Sequence, residues 1–313
     1  MTEASTIAVG AEAGAPTAGG GADEGRSLAS DAWRQLKRNP IFWVSVTLIV
    51  LFIVMAAVPQ LFTNVDPNAA VLKQARERPN ANAWFGRDIQ GYDIYSRTIY
   101  GARASILVGV FASIATVLIG GAMGVAAGYY GGWLDSFISR ITDIFFAIPL
   151  LLGGILFMST FPNDENSPYL VVVGKVVLVM AVFGWPSIAR LMRSSVLQVK
   201  PNDYVQAARA LGASPLRIIG SHILPNATAS VIVVSTINLG VFIAVEATLS
   251  FLGIGLQPPI ISWGSQISDA SGIGLIQTAP HMLIFPSIFL SLTVLAFIML
   301  GDCVRDAFDP RSR

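Results

Sequence analysis

Long apolar segments constrain this chain more than any other feature of its sequence. Each holds about 20 residues, mostly aliphatic or aromatic, which is the length that an α-helix needs to cross a bilayer. Inside the bilayer every backbone N–H and C=O must be bonded within the protein, so the predicted fold is an all-α membrane protein, a bundle of six transmembrane helices. The predicted spans are residues 41–62, 104–128, 136–161, 169–189, 227–252 and 280–300.

Composition and charge exclude several other classes of protein. Hydrophobic residues make up 53% of the chain and charged residues 12%, about half of the ~25% that is typical of soluble domains. The net charge of +1 gives no indication of nucleic-acid binding. With Cys303 as the single cysteine and only His222 and His281, neither an intrachain disulfide nor a histidine metal cluster is expected. We therefore expect no metal site built from these residues.

Basic residues before the first span set the expected orientation. Arg34, Lys37 and Arg38 precede it and place the N-terminus in the cytoplasm, so that six spans return the C-terminus to the same side. The loop 63–103 carries six basic and four acidic residues, which runs mildly against this orientation. The positive-inside rule is weakest for long, balanced loops, so the topology stands.

This topology divides the chain into four parts. Residues 1–33, rich in Ala, Gly, Thr and Ser, are predicted to be a disordered cytoplasmic tail. A first transmembrane helix follows over 34–62, and then an extracytoplasmic loop with an interfacial helix over 63–103. The remainder, 104–313, is predicted to hold five spans and a cytoplasmic loop at 194–226.

Glycine and proline indicate how two of the spans pack. Gly120, Gly124 and Gly128 recur every four residues, a spacing that either lets another helix approach closely or reflects ordinary glycine use in a membrane helix. Pro149 is predicted to bend the third span.

Four charged residues in or near the spans are candidates for structural or pathway roles. Arg140 and Asp143 are three residues apart and can pair on one helix face. Lys175 either lines a pathway or extends to the outer interface. Glu246 lies inside a span, where a carboxylate indicates either function or a hydrogen bond between helices.

The polar stretch 203–226 between the fourth and fifth spans is patterned as helix, turn and helix. Residues 204–211 favour a helix, and Gly212 can adopt the left-handed conformation that ends one. Ser214 is suited to the N-cap of a second helix, and Pro215 to its first position. Such a loop is either a docking element or a structural connector.

The motif Gln206-Ala-Ala-x-x-x-Gly212, with His222-x-Leu-Pro-Asn226 after it, resembles the EAA loop of bacterial ABC-importer permeases. Further motifs resemble the second permease subunit of dipeptide and oligopeptide importers over about residues 35–313. They are WFGRDIQGYDIYSR in the outer loop, Arg140-Ile-Thr-Asp143, Gly184-Trp-Pro186, Glu246 to Gly253, Gln257-Pro-Pro259 with Ser262-Trp-Gly264, and residues 300–311. Three places depart from the family pattern: Gln206 replaces a glutamate, Arg87 and Tyr92 alter the outer-loop motif, and Ile261 replaces a common proline.

The resemblance implies a permease, not an enzyme, in the bacterial inner membrane. The loop would couple to separate ATPase subunits that bind ATP and Mg²⁺, and no cofactor is implied in this chain. A second permease, two ATPases and an extracytoplasmic peptide-binding protein are the implied partners. The residues implied for coupling are Tyr204, Gln206, Ala207, Ala208, Arg209, Gly212, Ala213, Ser214, Pro215 and Arg217.

Other readings of the sequence remain open. Related importers carry nickel chelates or glutathione. A secondary transporter would favour membrane-buried acidic pairs and inverted repeats, whereas the chain offers the lone Glu246. A membrane scaffold that uses the loop for docking is a further alternative. Gly174-Lys175 is the chain's one Gly-Lys pair and lacks the following Ser or Thr of a phosphate-binding loop.

Overall fold

The computed structural model describes residues 28–164 and 167–308, and nearly all of its regular structure is α-helix. The tail 1–27 and the motif residues 309–311 lie outside the described residues. The helices are α1 Leu28–Arg38, α2 Pro40–Ala57, α3 Ile94–Tyr130, α4 Gly132–Ala147, α5 Leu150–Thr160, α6 Tyr169–Val199, α7 Asp203–Ala210, α8 Pro215–Ile218, α9 Leu224–Phe251, α10 Trp263–Asp269, α11 Ile273–Thr278 and α12 His281–Phe308.

The helical membrane bundle is confirmed. In the described residues, five helices are long and apolar enough to cross a bilayer, and the bent pair α4–α5 makes a sixth if it is counted as one span. The five are α2, α3, α6, α12 and the run Pro215–Phe251, which joins α8 to α9. Four of these extend beyond the predicted apolar segments, because polar residues continue the helix past the bilayer core.

The region 34–62, predicted as the first transmembrane helix, contains parts of two helices. α1 begins at Leu28, so the prediction of a disordered tail up to residue 33 is wrong for its last residues. Asn39 has extended backbone angles, and its side chain accepts a hydrogen bond from the N–H of Ile41. With Pro40 at the first helical position, this N-cap starts a new helix. α2 then ends at Ala57, five residues before the predicted end of the span.

The second span begins much earlier than predicted. Asp93 caps α3 by accepting the N–H of Ser96 at 2.7 Å, and the helix runs without a break from Ile94 to Tyr130. The predicted interfacial helix of the loop 63–103 is therefore the first part of this span and not a separate element. No proline follows Asp93 in this stretch to stop the helix.

The glycine face of α3 packs tightly against α6, which is the first of the two readings of the glycine spacing. A Cβ at Gly120 would lie 2.5 Å from the carbonyl oxygen of Trp185, and one at Gly124 would lie 2.5 Å from that of Ala189. A Cβ at Gly128 would lie 2.9 Å from the Cβ of Val196. Each distance is too short for a side chain, so glycine is what brings the two helices together.

The third predicted span is broken at Pro149. Ile148 is extended, Pro149 precedes α5 as its cap, and the axes of α4 and α5 differ by 80°. Proline lacks an N–H and disfavours helical angles in the residue before it, so α4 ends there. The predicted bend is confirmed, but the prediction of one continuous helix over 136–161 is wrong.

Candidate functional site

The stretch 203–226 folds as the sequence predicts. α7 ends at Ala210, and Gly212 adopts a positive φ of 79°, the left-handed conformation that suits glycine. Ser214 is extended, and its Oγ accepts the N–H of Arg217 at 3.4 Å. Pro215 is the first residue of α8. The turn at Gly212 therefore joins two short helices.

The second short helix is continuous with a transmembrane helix. α8 passes through a π-helical turn at Ile219–Ile223 directly into α9. α8 and α9 therefore form one continuous helical run.

The inner face of the loop is anchored in a hydrophobic cluster. Val205, Ile218 and Ile223 are essentially inaccessible to solvent. They pack with Val196 of α6 and Tyr129 of α3. Burial of these aliphatic side chains fixes the loop against the ends of two spans.

The outer face of the loop exposes two leucines. Leu211 is 88% exposed and Leu216 is 79% exposed, and they flank the turn at Gly212. Sequence reasoning did not single out either residue. Two leucines beside a glycine in a polar loop were the available signal.

The remaining predicted loop residues divide between the two faces. Ala208 and Ala213 are half-buried and pack against the cluster that contains Val205. The exposed members are Tyr204, Gln206, Ala207, Arg209, Gly212, Ser214, Pro215 and Arg217.

Gln206, the departure from the family's glutamate, makes a contact that a carboxylate could not. Its side-chain N–H donates to the backbone carbonyl of Lys200 at 2.9 Å. The Lys200 ammonium in turn donates to the carbonyl of Tyr129 at 2.7 Å, at the end of α3. The loop is thereby linked through Lys200 to a second span.

Two ion pairs connect α4 to α6. Arg193 binds both carboxylate oxygens of Asp135, at 2.5 and 2.7 Å. Arg190 donates to Asp143 at 2.7 Å, with both side chains about half exposed. The predicted pair between Arg140 and Asp143 is wrong: α6 supplies the partner of Asp143, and Arg140 is exposed. Helical spacing permitted the local pair, but the neighbouring helix offered a better-placed guanidinium.

Lys175 contacts the end of α5. Its ammonium donates to the carbonyl of Phe161 at 3.3 Å and to that of Pro162 at 3.0 Å. These are the carbonyls just beyond the end of α5, so Lys175 holds that end against α6.

Glu246 is fully buried at the junction of α9 and the turn after it. One carboxylate oxygen accepts the hydroxyl of Ser250 at 2.7 Å, and that hydroxyl accepts the N–H of Leu256 at 2.9 Å. The other oxygen has no hydrogen-bond partner among the described residues. Glu246 thus orders the chain that leaves the fifth span.

Comparison with known proteins gives two family matches. Residues 120–313 match the family described as binding-protein-dependent transport system inner membrane component. Residues 27–82 match the N-terminal transmembrane domain of oligopeptide transport permease C.

Similar whole proteins are permeases of known import systems. The chain is 38% identical to the oligopeptide transport system permease protein OppC of Bacillus subtilis (strain 168), over 92% of this chain and 91% of that one. It is also 38% identical to the dipeptide transport system permease protein DppC of the same organism, over 92% and 87%. Identity to the glutathione transport system permease protein GsiD of Escherichia coli O6:K15:H31 (strain 536 / UPEC) is 36%, over 92% of each chain.

A solved structure has a similar fold. An inward-facing conformation of the MetNI methionine ABC transporter aligns with a TM-score of 0.50 and 21% identity. The alignment covers 66% of this chain and 96% of that chain.

Proposed function

The chain belongs to the family of binding-protein-dependent transport system inner membrane components, and on that premise we propose that it is one of two permease subunits of an ATP-driven peptide importer. It is a multi-pass inner-membrane protein and forms half of a translocation pathway. A second, similar permease completes that pathway. An extracytoplasmic binding protein delivers substrate to the outer segments 63–103 and 254–280.

The loop 203–226 is the contact with a cytoplasmic ATPase subunit. The exposed pair Leu211 and Leu216, on a loop whose back is buried, is the observation that carries this proposal. Apolar side chains that enter a partner's pocket supply much of the binding energy of an interface. ATP and Mg²⁺ bind in the ATPase and not in this chain.

Motion of the ATPase would reach the pathway through two connections. α8 runs into α9 without a break, and Gln206 and Lys200 link the loop to the end of α3. When ATP draws two ATPases together, each loop would shift with its partner. α9 and α3 would then tilt and change which side of the membrane the pathway faces.

Peptides are the proposed substrate class, because the similar permeases include oligopeptide and dipeptide systems. Glutathione is the second candidate, favoured by the similar glutathione permease. A nickel chelate remains an alternative from the sequence.

The test is uptake by the reconstituted importer with its binding protein, second permease and ATPases. We expect a labelled di-, tri- or longer peptide to accumulate with ATP and not in a matched complex with inactive ATPases. Preference for glutathione over ordinary peptides would select the second candidate. Uptake driven by a proton or sodium gradient without ATP would contradict the proposal and favour a secondary transporter.

A further inference from the structure

The helix α1, ahead of the first span, packs on the last helix by one face only. Ala32 and Leu36 are buried, and with Phe42 they form a cluster with Cys303 and Ala307 of α12. Because Asn39 breaks the helix, α1 does not continue along the axis of α2. This arrangement places α1 beside the end of α12, where the membrane-spanning part of the bundle ends.

Two tryptophans, one on α1 and one in the first turn of α2, are about half exposed. Trp33 is 48% exposed and Trp43 is 50% exposed. Both contact Phe42 edge to face, with ring centroids 6.0 and 5.5 Å away. The indole N–H of Trp43 donates to the carbonyl of Lys37 at 3.0 Å. The two rings are therefore held in place while facing outward.

Three cations lie among these rings. Arg34, Lys37 and Arg38 are all exposed, and the Lys37 ammonium lies 5.0 Å from the centroid of the Trp33 ring. None of the three forms an ion pair with a side chain in the described part of the molecule. The neighbouring end of α12 exposes Asp302 and Asp306 as well as Arg305, whereas α1 has three basic residues and one acidic residue, Asp31, so the excess positive charge belongs to α1.

We propose that α1 and Trp43 form a binding site for the headgroup of an anionic phospholipid. Tryptophan rings favour the headgroup level of a bilayer, and an amphipathic helix with basic residues lies in that plane. Arg34, Lys37 and Arg38 would contact the lipid phosphate, each strengthening association with an anionic surface by about fivefold. Both indoles lie beside the start of the first span, which favours the bilayer surface over an acidic protein surface as the partner.

The test uses the complete transporter complex in phosphatidylcholine vesicles that contain a photoactivatable phosphatidylglycerol. Covalent labelling of residues 28–43 is quantified by peptide mass spectrometry, with photoactivatable phosphatidylcholine as the reference lipid. We expect phosphatidylglycerol to label this segment at least about fivefold more strongly in the native protein. High salt should reduce that preference, because the contact is electrostatic and near the surface.

The charge-removing variant is R34Q/K37Q/R38Q, which should lose the preference for phosphatidylglycerol. The control variant K73Q/R76Q/R78Q removes the same charge from exposed residues of the outer loop and should keep the preference. A second variant, R34K/R38K, preserves the charge and should also keep it, which separates loss of charge from loss of folding.

Three results would overturn the proposal. The first is equal labelling by the two lipids in the native protein. The second is an unchanged preference in R34Q/K37Q/R38Q. The third is loss of ATPase copurification in that variant with lipid labelling intact, which would make the surface a protein contact.

Discussion

Two short helices between spans, α8 and α10, both start at a serine N-cap but lie in opposite environments. Ser214 caps α8, and Ser262 caps α10, each accepting a backbone N–H three residues later. Leu216, two residues after the cap of α8, is exposed to solvent. α10 turns its large apolar residue, Trp263, into the bundle, where it is fully buried.

The α10 segment is part of the protein's own core. The indole N–H of Trp263 donates to the carbonyl of Thr98 at 2.9 Å, and the ring meets Phe52 edge to face. Gln266 donates to the carbonyl of Arg97 at 3.1 Å. α10 therefore closes one end of the bundle, whereas the loop at α8 leaves an anchored apolar surface uncovered. Capping residues fix where a helix starts, and packing of the residues that follow decides whether the helix joins the core or stays exposed.

Replacing Trp263 by alanine should have the largest effect. Removing a fully buried tryptophan leaves a cavity and an unpaired carbonyl at Thr98, at a cost of about 3–5 kcal/mol in the free energy of unfolding. Thermal denaturation of the detergent-purified protein measures it. Trp133, which is 78% exposed, supplies the matched control. If Trp263→Ala melts at the same temperature as Trp133→Ala, α10 is not part of the core.

The double variant Leu211→Asp/Leu216→Asp tests whether the exposed leucines contact the ATPase. ATP-dependent uptake and copurification of the ATPase should fall at least about tenfold, because charged groups would replace two apolar anchors. The melting temperature should stay near that of the native protein, since exposed substitutions change stability by about 0.5 kcal/mol or less. Leu72→Asp, at a 75% exposed position in the segment 63–103, is the control for ATPase copurification. Normal uptake by the double variant would remove the distinction between the two helices.

Substitutions of Gly212 test whether uptake depends on the shape of the turn. A Cβ there meets no atom within 4 Å, so Gly212→Ala adds strain only through the positive φ, about 1–2 kcal/mol. Gly212→Asn should cost less, because asparagine tolerates this conformation. Uptake should decrease in the order native, asparagine, alanine, with a stronger loss for Gly212→Trp. Equal uptake by all four proteins would show that the turn need not be preserved.

Gln206→Glu should have the smallest effect. It removes the donated hydrogen bond to Lys200, which contributes at most about 1 kcal/mol at this exposed site. Uptake should remain within a few-fold of native, because the loop's burial through Val205 and Ile218 is unchanged. An increase in uptake well above the native rate would instead indicate that the ATPase recognises a carboxylate there.

The sequence was sufficient for features that depend on local chemistry. Gly212, Ser214 and Pro215 specify the turn through their own backbone preferences. Gly120 and Gly124 specify a close helix contact through the absence of a side chain, although the spacing does not say which helix approaches.

Features that depend on tertiary packing could not be predicted from the local sequence. Val205 and Leu211 are both aliphatic residues of one short segment, yet one is buried and the other exposed. Asp143 pairs with Arg190, which is 47 positions away, instead of the nearby Arg140. In each case the decisive partner lies on another helix, and its position is set by the fold as a whole.

Photocrosslinking from position 211 tests directly whether the loop 203–226 contacts the ATPase subunit. A photoreactive amino acid replaces Leu211 in the assembled transporter, and the same group at the 79% exposed Ile273 of α11 serves as the reference. We expect the group at position 211 to crosslink to the ATPase subunit, and the group at position 273 not to do so. Crosslinking of the ATPase from position 273 but not from position 211 would contradict the assignment of the loop as the ATPase contact.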